Sequence, residues 1–205
     1  MVYFDNNATT PLGQNALQVY QSALVHDWFN PSSPYRSASR VRAKLEIARE
    51  ELAAVLGFNK EELIFTSGAT EANNSLFAHV ASNEKKEGRC LLSPFEHPSI
   101  IEPAKHWFKD RLAYMPADDF GRVHLERTKE LLNTENFSLV SLMAVNNETG
   151  VIQPWQDIAK LCLDKGIFFH CDATQWIGKL DTSVFSLCTS FSASAHKFSG
   201  PKGLG

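Results

Sequence analysis

The sequence predicts an α/β fold in which a mainly parallel sheet is flanked by helices. Two observations carry this prediction. From the middle of the N-terminal half onward, short apolar segments typical of strands alternate with segments of helical spacing, and several of the strands are apolar on both faces. Strands joined through helices in this way form parallel sheets with helices packed outside. Ligands of such sheets bind at the carboxyl ends of the strands, so we expect functional side chains there.

The individual elements can be predicted in chain order. A loop is expected at 30–34, where prolines and serines follow Asn30. Apolar residues at helical spacing predict a helix over 41–56 that ends at Gly57. Further helices are predicted at 71–81, 99–108, 125–132 and 156–164, and strands at 63–65, 89–92, 112–115, 139–145 and 167–171.

Composition and charge restrict the class of protein. The 205 residues are 43% hydrophobic and 21% charged, which is typical of a globular chain. A formal net charge of −3 disfavours nucleic-acid binding by bulk electrostatics, and apolar runs such as 139–145 are too short to span a bilayer. The N-terminus has no secretory pattern, and four cysteines form no CxxC pair. We therefore expect a cytoplasmic protein with neither nucleic-acid nor membrane partners.

A turn of small residues follows the predicted strand at 63–65. In residues 66–71, small and hydroxyl side chains precede a helix, so backbone N–H groups there can hold an anion such as phosphate. An ordinary helix cap made by Ser67 or Thr70 explains the same residues equally well.

Polar residues also follow two other predicted strands. Glu96 and His97 come after the strand at 89–92, although a lone histidine there is more often packed or capping than catalytic. The strand ending at 145 is followed by two amides and a carboxylate, Asn146, Asn147 and Glu148. A turn explains one of these residues but not all three together.

The C-terminal third adds a carboxylate and a lysine. Asp172 lies at the end of the strand at 167–171, with Gln175 one turn later, and a carboxylate inside a site needs a cation beside it. A capping role is the alternative for Asp172 alone. Lys197 lies among small and hydroxyl residues instead of among other charges. A lysine, a carboxylate, amides, an imidazole and an anion-holding turn are what a pyridoxal phosphate site needs.

Metal chemistry competes for part of this set. The side chains of metal-ligand type are His97, Glu148, His170, Asp172 and His196. None of their pairs has the spacing of a preformed metal site, and a metal would leave Lys197 unexplained. The sequence therefore predicts no metal site.

Seven segments in this order carry a family resemblance that extends from Tyr3 to Gly205. They are 4–10, 30–33, 65–74, 96–99, 146–150, 170–175 and 196–203. Through them the chain resembles the cysteine desulfurases of the NifS and IscS type, in the class V aminotransferase group of fold type I pyridoxal phosphate enzymes. The resemblance implies a partial large cofactor-binding domain at 16–205, preceded by a segment at 1–15 that is associated with the small domain.

The resemblance also implies roles for individual residues. Lys197 would bind the cofactor as a Schiff base and later move protons, and Asp172 would pair with the pyridinium nitrogen. His97 would stack on the ring and exchange protons with the substrate. Gln175 and Asn147 would bond to the phenolic oxygen. The residues implied in phosphate binding are Ala69, Thr70, Ser194 and His196, and those implied at the substrate carboxylate are Asn30 and Asn147.

The implied reaction converts L-cysteine to L-alanine and transfers sulfur as a persulfide to an acceptor protein, for iron–sulfur cluster or other sulfur-cofactor assembly. The family forms homodimers, and its catalytic cysteine lies well beyond the Schiff-base lysine. None of Cys90, Cys162, Cys171 and Cys188 matches that cysteine. The first three fall in a strand or a helix, which is typical of buried structural thiols, and Cys188 is less clear.

The resemblance therefore implies the N-terminal half of an enzyme, without the rest of the large domain, most of the small domain and the arginine that binds the substrate carboxylate. We expect such a chain to be inactive alone. Three alternatives remain at this point: a selenocysteine lyase, another class V aminotransferase-like enzyme, and a non-catalytic fragment that acts as an interaction module.

Overall fold

A five-stranded sheet forms the centre of the protein, whose computed structural model describes residues 2–83 and 88–205. The strands lie in the order β2-β1-β3-β4-β5, and every neighbouring pair is parallel. Their bounds are β1 Arg89–Leu92, β2 Leu112–Tyr114, β3 Phe137–Ser141, β4 Phe168–Asp172 and β5 Ser190–Ser192. This sheet confirms the predicted fold class.

Six α-helices are described around the sheet. Two of them, α2 and α6, end at Gly57 and Gly166, which have φ values of +78° and +67° and so take the left-handed conformation that terminates helices. The bounds are α1 Gln14–His26, α2 Arg36–Leu56, α3 Ala69–Asn83, α4 Pro98–Phe108, α5 Leu125–Thr134 and α6 Trp155–Lys165.

Helices cover both faces of the sheet. On one face, Phe77 of α3 and Ile100 of α4 pack against Leu139 of β3. On the other, Leu132 of α5 and Ile158 of α6 belong to a second cluster of buried apolar residues. The parallel strands are buried on both sides, which explains their continuous apolar sequences.

The strand predicted at 63–65 is wrong. These residues follow a 3₁₀ turn, Lys60–Glu62, and form no ladder with another strand. Their extended backbone leads to Thr66, whose N–H and C=O both bond to Gly205 at 2.8 Å. An extended conformation was therefore correctly inferred, but sheet pairing along the segment was not.

Two elements were missed, and two were misplaced. No helix was predicted at α1, although Leu17, Tyr20 and Leu24 have helical spacing, and the structure buries none of its side chains. Strand β5 has only three residues, too few for a periodic signal. Helix α2 begins at Arg36 instead of 41, and β3 ends at Ser141 instead of 145.

Helix α1 leaves apolar side chains in solvent. Those more than a third exposed are Leu17, Val19, Tyr20, Leu24 and Val25. Within the described ranges, no helix has both the length and the apolar character needed to cross a membrane.

Candidate active site

Lys197 lies in a short 3₁₀ turn just beyond β5, half-buried at the carboxyl edge of the sheet. Its Nζ donates a hydrogen bond to the backbone oxygen of Asn7 at 2.6 Å. Burial lowers the pKa of Lys197 below its usual value, while the negative charges of Asp172 and Asp5 oppose this shift. The lysine is thus a desolvated amine close to a carboxylate.

Asp172 is buried at the end of β4. The amide of Thr174 donates to its Oδ1 at 3.0 Å, so the strand exit fixes the orientation of the carboxyl group. A buried carboxylate needs a positive group nearby, and Lys197 is the cation whose pKa its charge raises.

The N-terminal segment lies across this site through Asn7. Its backbone oxygen accepts from Gln175 Nε2 at 2.9 Å as well as from Lys197. Its side-chain amide donates to the backbone oxygen of Asn147 at 3.2 Å. Three predicted site residues therefore converge on Asn7, which the sequence did not single out although it belongs to the segment 4–10.

Two threonines fasten the same segment to the turn that carries Lys197. The N–H and the hydroxyl of Thr10 both donate to the backbone oxygen of His196 at 2.8 Å. The hydroxyl of Thr9 lies 3.1 Å from His196 Nδ1, and the amide of Ser199 donates to the Thr10 hydroxyl at 2.7 Å. We call residues 7–10 the N-terminal strap.

A pocket of about 420 Å³ opens beside the start of α3. The Ala69 N–H donates to Ser194 Oγ at 2.8 Å, which joins the helix start to the end of β5. The residues lining the pocket are Ala8, Thr9, Ser67, Gly68, Thr70, Glu71, Ser194, His196, Lys202 and Gly203. Three of the four residues predicted to bind phosphate line this pocket, and Ala69 contacts it through Ser194.

The expected cap made by a Ser67 or Thr70 hydroxyl is replaced by a cap in which Glu71 of the first turn binds back to Ser67. Glu71 Oε2 accepts from the N–H of Ser67 at 2.7 Å and from its hydroxyl at 2.6 Å. These two bonds lower the pKa of the Glu71 carboxyl below its usual value. The cap uses Ser67 and Glu71, and it leaves the first helical amides, those of Thr70 among them, without an intrahelical acceptor.

His97 and Asn30 lie outside this hydrogen-bonded group. His97 is exposed at the N-cap of α4, where its Nδ1 accepts from the amide of Ser99 at 3.1 Å. Asn30 is exposed in its loop, and its Oδ1 accepts from the amide of Ser32 at 2.9 Å. Within the described residues, no hydrogen bond connects either side chain to Lys197 or Asp172.

Two ionisable residues that the sequence did not assign to the site lie next to it. Lys179 Nζ donates to Gln175 Oε1 at 2.5 Å, and its pKa is lowered by burial and by the charge of Lys197. Glu96 is buried; its Oε1 accepts from the amide of Met143 at 2.6 Å, and its Oε2 has no partner among the described residues. Burial, together with the charge of Asp172, raises the pKa of Glu96 to about 8 against the effect of that bond.

Residues 2–205 match the family described as Aminotransferase class-V. The chain belongs to the class-V aminotransferase family. A curated relative named cysteine desulfurase IscS, from Clostridium botulinum, is 37% identical over the whole chain, which covers 52% of that relative. This class-V chain thus spans about half the length of the curated relatives it matches.

Solved structures agree with this assignment. A structure named NIFS-LIKE PROTEIN superposes with a TM-score of 0.91 at 39% identity, over 99% of this chain and 57% of the other. Another, described as SspA in complex with cysteine, gives a TM-score of 0.91 at 29% identity, over 100% of this chain and 60% of the other. The parallel sheet with its flanking helices is therefore the class-V architecture in part.

Which groups could the class-V site hold? A desolvated lysine, a buried carboxylate and a small-residue pocket at a helix N-terminus fit the amine, ring nitrogen and phosphate contacts of pyridoxal phosphate. Among the described residues, 2–83 and 88–205, no three side chains of His, Cys, Asp or Glu lie together in a group that could hold a metal ion.

Proposed function

We propose that this chain supplies most of the cofactor site of a pyridoxal phosphate-dependent cysteine desulfurase, which takes sulfur from L-cysteine and leaves L-alanine. The observation that carries the proposal is the desolvated Lys197 beside the buried carboxylate of Asp172. A lysine with a lowered pKa holds more of its amine in the nucleophilic form, which Schiff-base chemistry requires.

The residues proposed to hold the cofactor are those around this pair. Lys197 binds the aldehyde carbon, Asp172 the ring nitrogen, and Gln175 and Asn147 the phenolic oxygen, while His97 stacks on the ring. The residues proposed for the phosphate are Ala69, Thr70, Ser194 and His196. Bound pyridoxal phosphate supplies an electron sink that stabilises negative charge at the substrate Cα and so permits loss of the Cβ sulfur.

The chain's own residues supply charge and proton transfer. Asp172 keeps a positive charge at the ring nitrogen because its buried carboxylate favours a cation beside it. Lys197 carries protons at Nζ. Because its pKa is lowered toward neutral pH, the amine can both accept and release a proton more readily. His97 presents an exposed imidazole that can exchange protons through Nε2, because its Nδ1 is occupied by Ser99.

L-Cysteine is the proposed substrate, with Asn30 and Asn147 at its carboxylate. The name of the Clostridium relative and the cysteine bound in the SspA structure support this choice. The same proposal includes a sulfur-acceptor protein as partner and a role in iron–sulfur cluster assembly. It also includes a homodimer, a cytoplasmic location, and a division into a segment at 1–15 and a partial large domain at 16–205.

The four cysteines do not supply the sulfur-accepting thiolate in this proposal. Cys90, Cys162 and Cys171 are buried, and burial raises their thiol pKa values above the usual range, that of Cys162 to about 12. A thiol in this state is a poor nucleophile. Cys188 is half-buried and lies beside Cys171.

Borohydride reduction tests the proposal directly. The purified chain is mixed with pyridoxal phosphate, its visible absorption is recorded, and the reduced protein is digested to map the modified peptide. We expect a pyridoxyl group on Lys197 and its loss in Lys197→Ala. Lys160→Ala, which removes an exposed lysine of α6, is expected to label like the parent. Labelling spread over surface lysines, unchanged in Lys197→Ala, would contradict the assignment.

A further inference from the structure

A chain of buried hydrogen bonds runs beneath His97 from α4 to the sheet. His97 Nδ1 lies 2.8 Å from Ser99 Oγ, which is 3.0 Å from Asn73 Nδ2 on α3. Asn73 Oδ1 lies 3.1 Å from His170 Nε2 on β4, and His170 Nδ1 lies 2.9 Å from Ser190 Oγ on β5. Asn73 and His170 are at most 1% exposed. Five side chains from four elements thus form one continuous path.

The direction of every bond in this path follows from one backbone amide. The Ser99 N–H donates to His97 Nδ1 at 3.1 Å, and a backbone amide can only donate. His97 Nδ1 must therefore be unprotonated, and the Ser99 hydroxyl donates to it as well. Because the Ser99 oxygen is then free to accept, it takes its bond from the Asn73 amide group.

The same logic extends to the sheet. With its NH₂ group on Ser99, Asn73 presents its oxygen to His170, whose Nε2 must carry the proton. His170 Nδ1 then accepts from the Ser190 hydroxyl. Burial keeps this histidine neutral by lowering its pKa to about 4, although the charge of Asp172 and an interaction with the Ser190 backbone oppose the shift. Each polar atom on the path has a partner of the right kind.

We propose that Ser99, Asn73 and His170 are positioning residues that hold His97 in the tautomer protonated at Nε2. This tautomer leaves Nε2 as the nitrogen of His97 that faces outward and can exchange protons. The use of that proton in catalysis rests on the proposed function. The tautomer itself is a property of the chain and can be measured without cofactor or substrate.

Nitrogen NMR of the full chain, labelled with ¹⁵N-histidine, measures the tautomer. We expect Nδ1 of His97 at the shift of an unprotonated ring nitrogen and Nε2 at that of a protonated one, and His97→Gln assigns the signals. Asn73→Asp is nearly isosteric, but it places a carboxylate oxygen where the Asn73 NH₂ group donated to Ser99. The Ser99 hydroxyl then donates to this oxygen instead of to His97 Nδ1. We expect the shifts of both His97 ring nitrogens to move toward an intermediate value.

Asn74→Asp is the matched control. It makes the same change one residue further along α3, on the exposed side, and is expected to leave the His97 signals at their parent positions. Ser99→Ala covers the case in which a buried aspartate prevents folding. It removes the hydroxyl that donates to His97 and accepts from Asn73 but keeps the backbone amide that donates to His97 Nδ1, so it is expected to move the His97 shifts in the same direction by a smaller amount.

Two results would overturn the proposal. One is a parent His97 with the proton on Nδ1. The other is a set of His97 shifts that is identical in the parent, in Ser99→Ala and in folded Asn73→Asp. Because no cofactor is present in these measurements, either result would refute the tautomer assignment and leave the Lys197 labelling experiment as a separate test of the proposed function.

Discussion

Burial is the main cause of the pKa shifts of Lys197, Lys179 and Glu96 at this site. Burial lowers the pKa of both Lys197 and Lys179, and the charge of Lys197 lowers that of Lys179 further. The pKa of Glu96 shifts in the opposite direction, upward, because burial disfavours the charged form of an acid. The sequence marked Lys197 by its small neighbours and placed Glu96 after a strand, but it gave Lys179 no role. Lys179 bonds to Gln175, four residues earlier, whereas Glu96 bonds to Met143, 47 residues away, which no local pattern indicates.

Glu96 makes the stability of the fold depend on pH. Its pKa rises from 4.5 to about 8 on folding, so between these values the folded chain holds a proton that the unfolded chain releases. The contribution of Glu96 to the free energy of unfolding should therefore fall as the pH rises through this window, while His170, with its pKa lowered from 6.5 to about 4, contributes the opposite slope below pH 6.5. Glu96→Gln keeps a neutral side chain, and we expect its urea unfolding free energy to fall less than that of the parent between pH 6.5 and 8.

Glu130→Gln is the control for that experiment because Glu130 is exposed on α5. Its profile should follow the parent. If the Glu96→Gln profile also kept the parent's slope, a protonated Glu96 in the folded state would be excluded.

Among the elements, the turn after residue 176 packs against the residue that follows Lys197. Gly178 has φ +78°, and a Cβ placed there would lie 2.5 Å from Cβ of Phe198. The sequence analysis did not single out this turn. This close approach makes the position of Lys197 depend on a glycine 19 residues earlier.

We expect Gly178→Ala to destabilise the chain by about 3 kcal/mol, from left-handed backbone strain together with overpacking. Gly121→Ala is the matched control, since Gly121 has φ +84° but nothing within 4 Å of the added Cβ. It should lose about 1 kcal/mol, from strain alone. Urea unfolding midpoints measure both variants. Equal losses would show that Phe198 yields without cost.

Much of the fold could be predicted because its pattern is local. Strand β1 and helices α3 to α6 are marked by apolar spacing and capping residues, and the exit of β4 located Asp172. Helix α1 was missed although Leu17, Tyr20 and Leu24 have helical spacing. The N-terminal strap could not be placed either, since its partners lie in the turn around His196 and no periodicity connects the two segments.

For the molecule as a whole, the state of its thiols governs what it can do alone. With three of four cysteines buried and their pKa values raised, we expect the 205-residue chain, loaded with pyridoxal phosphate, to release no sulfide from L-cysteine. Sulfide and alanine assays measure this. Cys188→Ser tests the remaining half-buried thiol and should change nothing. Steady production of both products by the parent chain would refute the expectation.

The N-terminal strap also has a consequence for the order of folding. Its bonds join residues that are 186 to 190 positions apart, as in Thr10 to His196 and Asn7 to Lys197. Contacts between such distant residues form late, because a very long loop must close before they can be made. During synthesis the N-terminal strap must wait until the turn around Lys197 has left the ribosome. Capture of a cofactor by this site therefore cannot precede the synthesis of that turn.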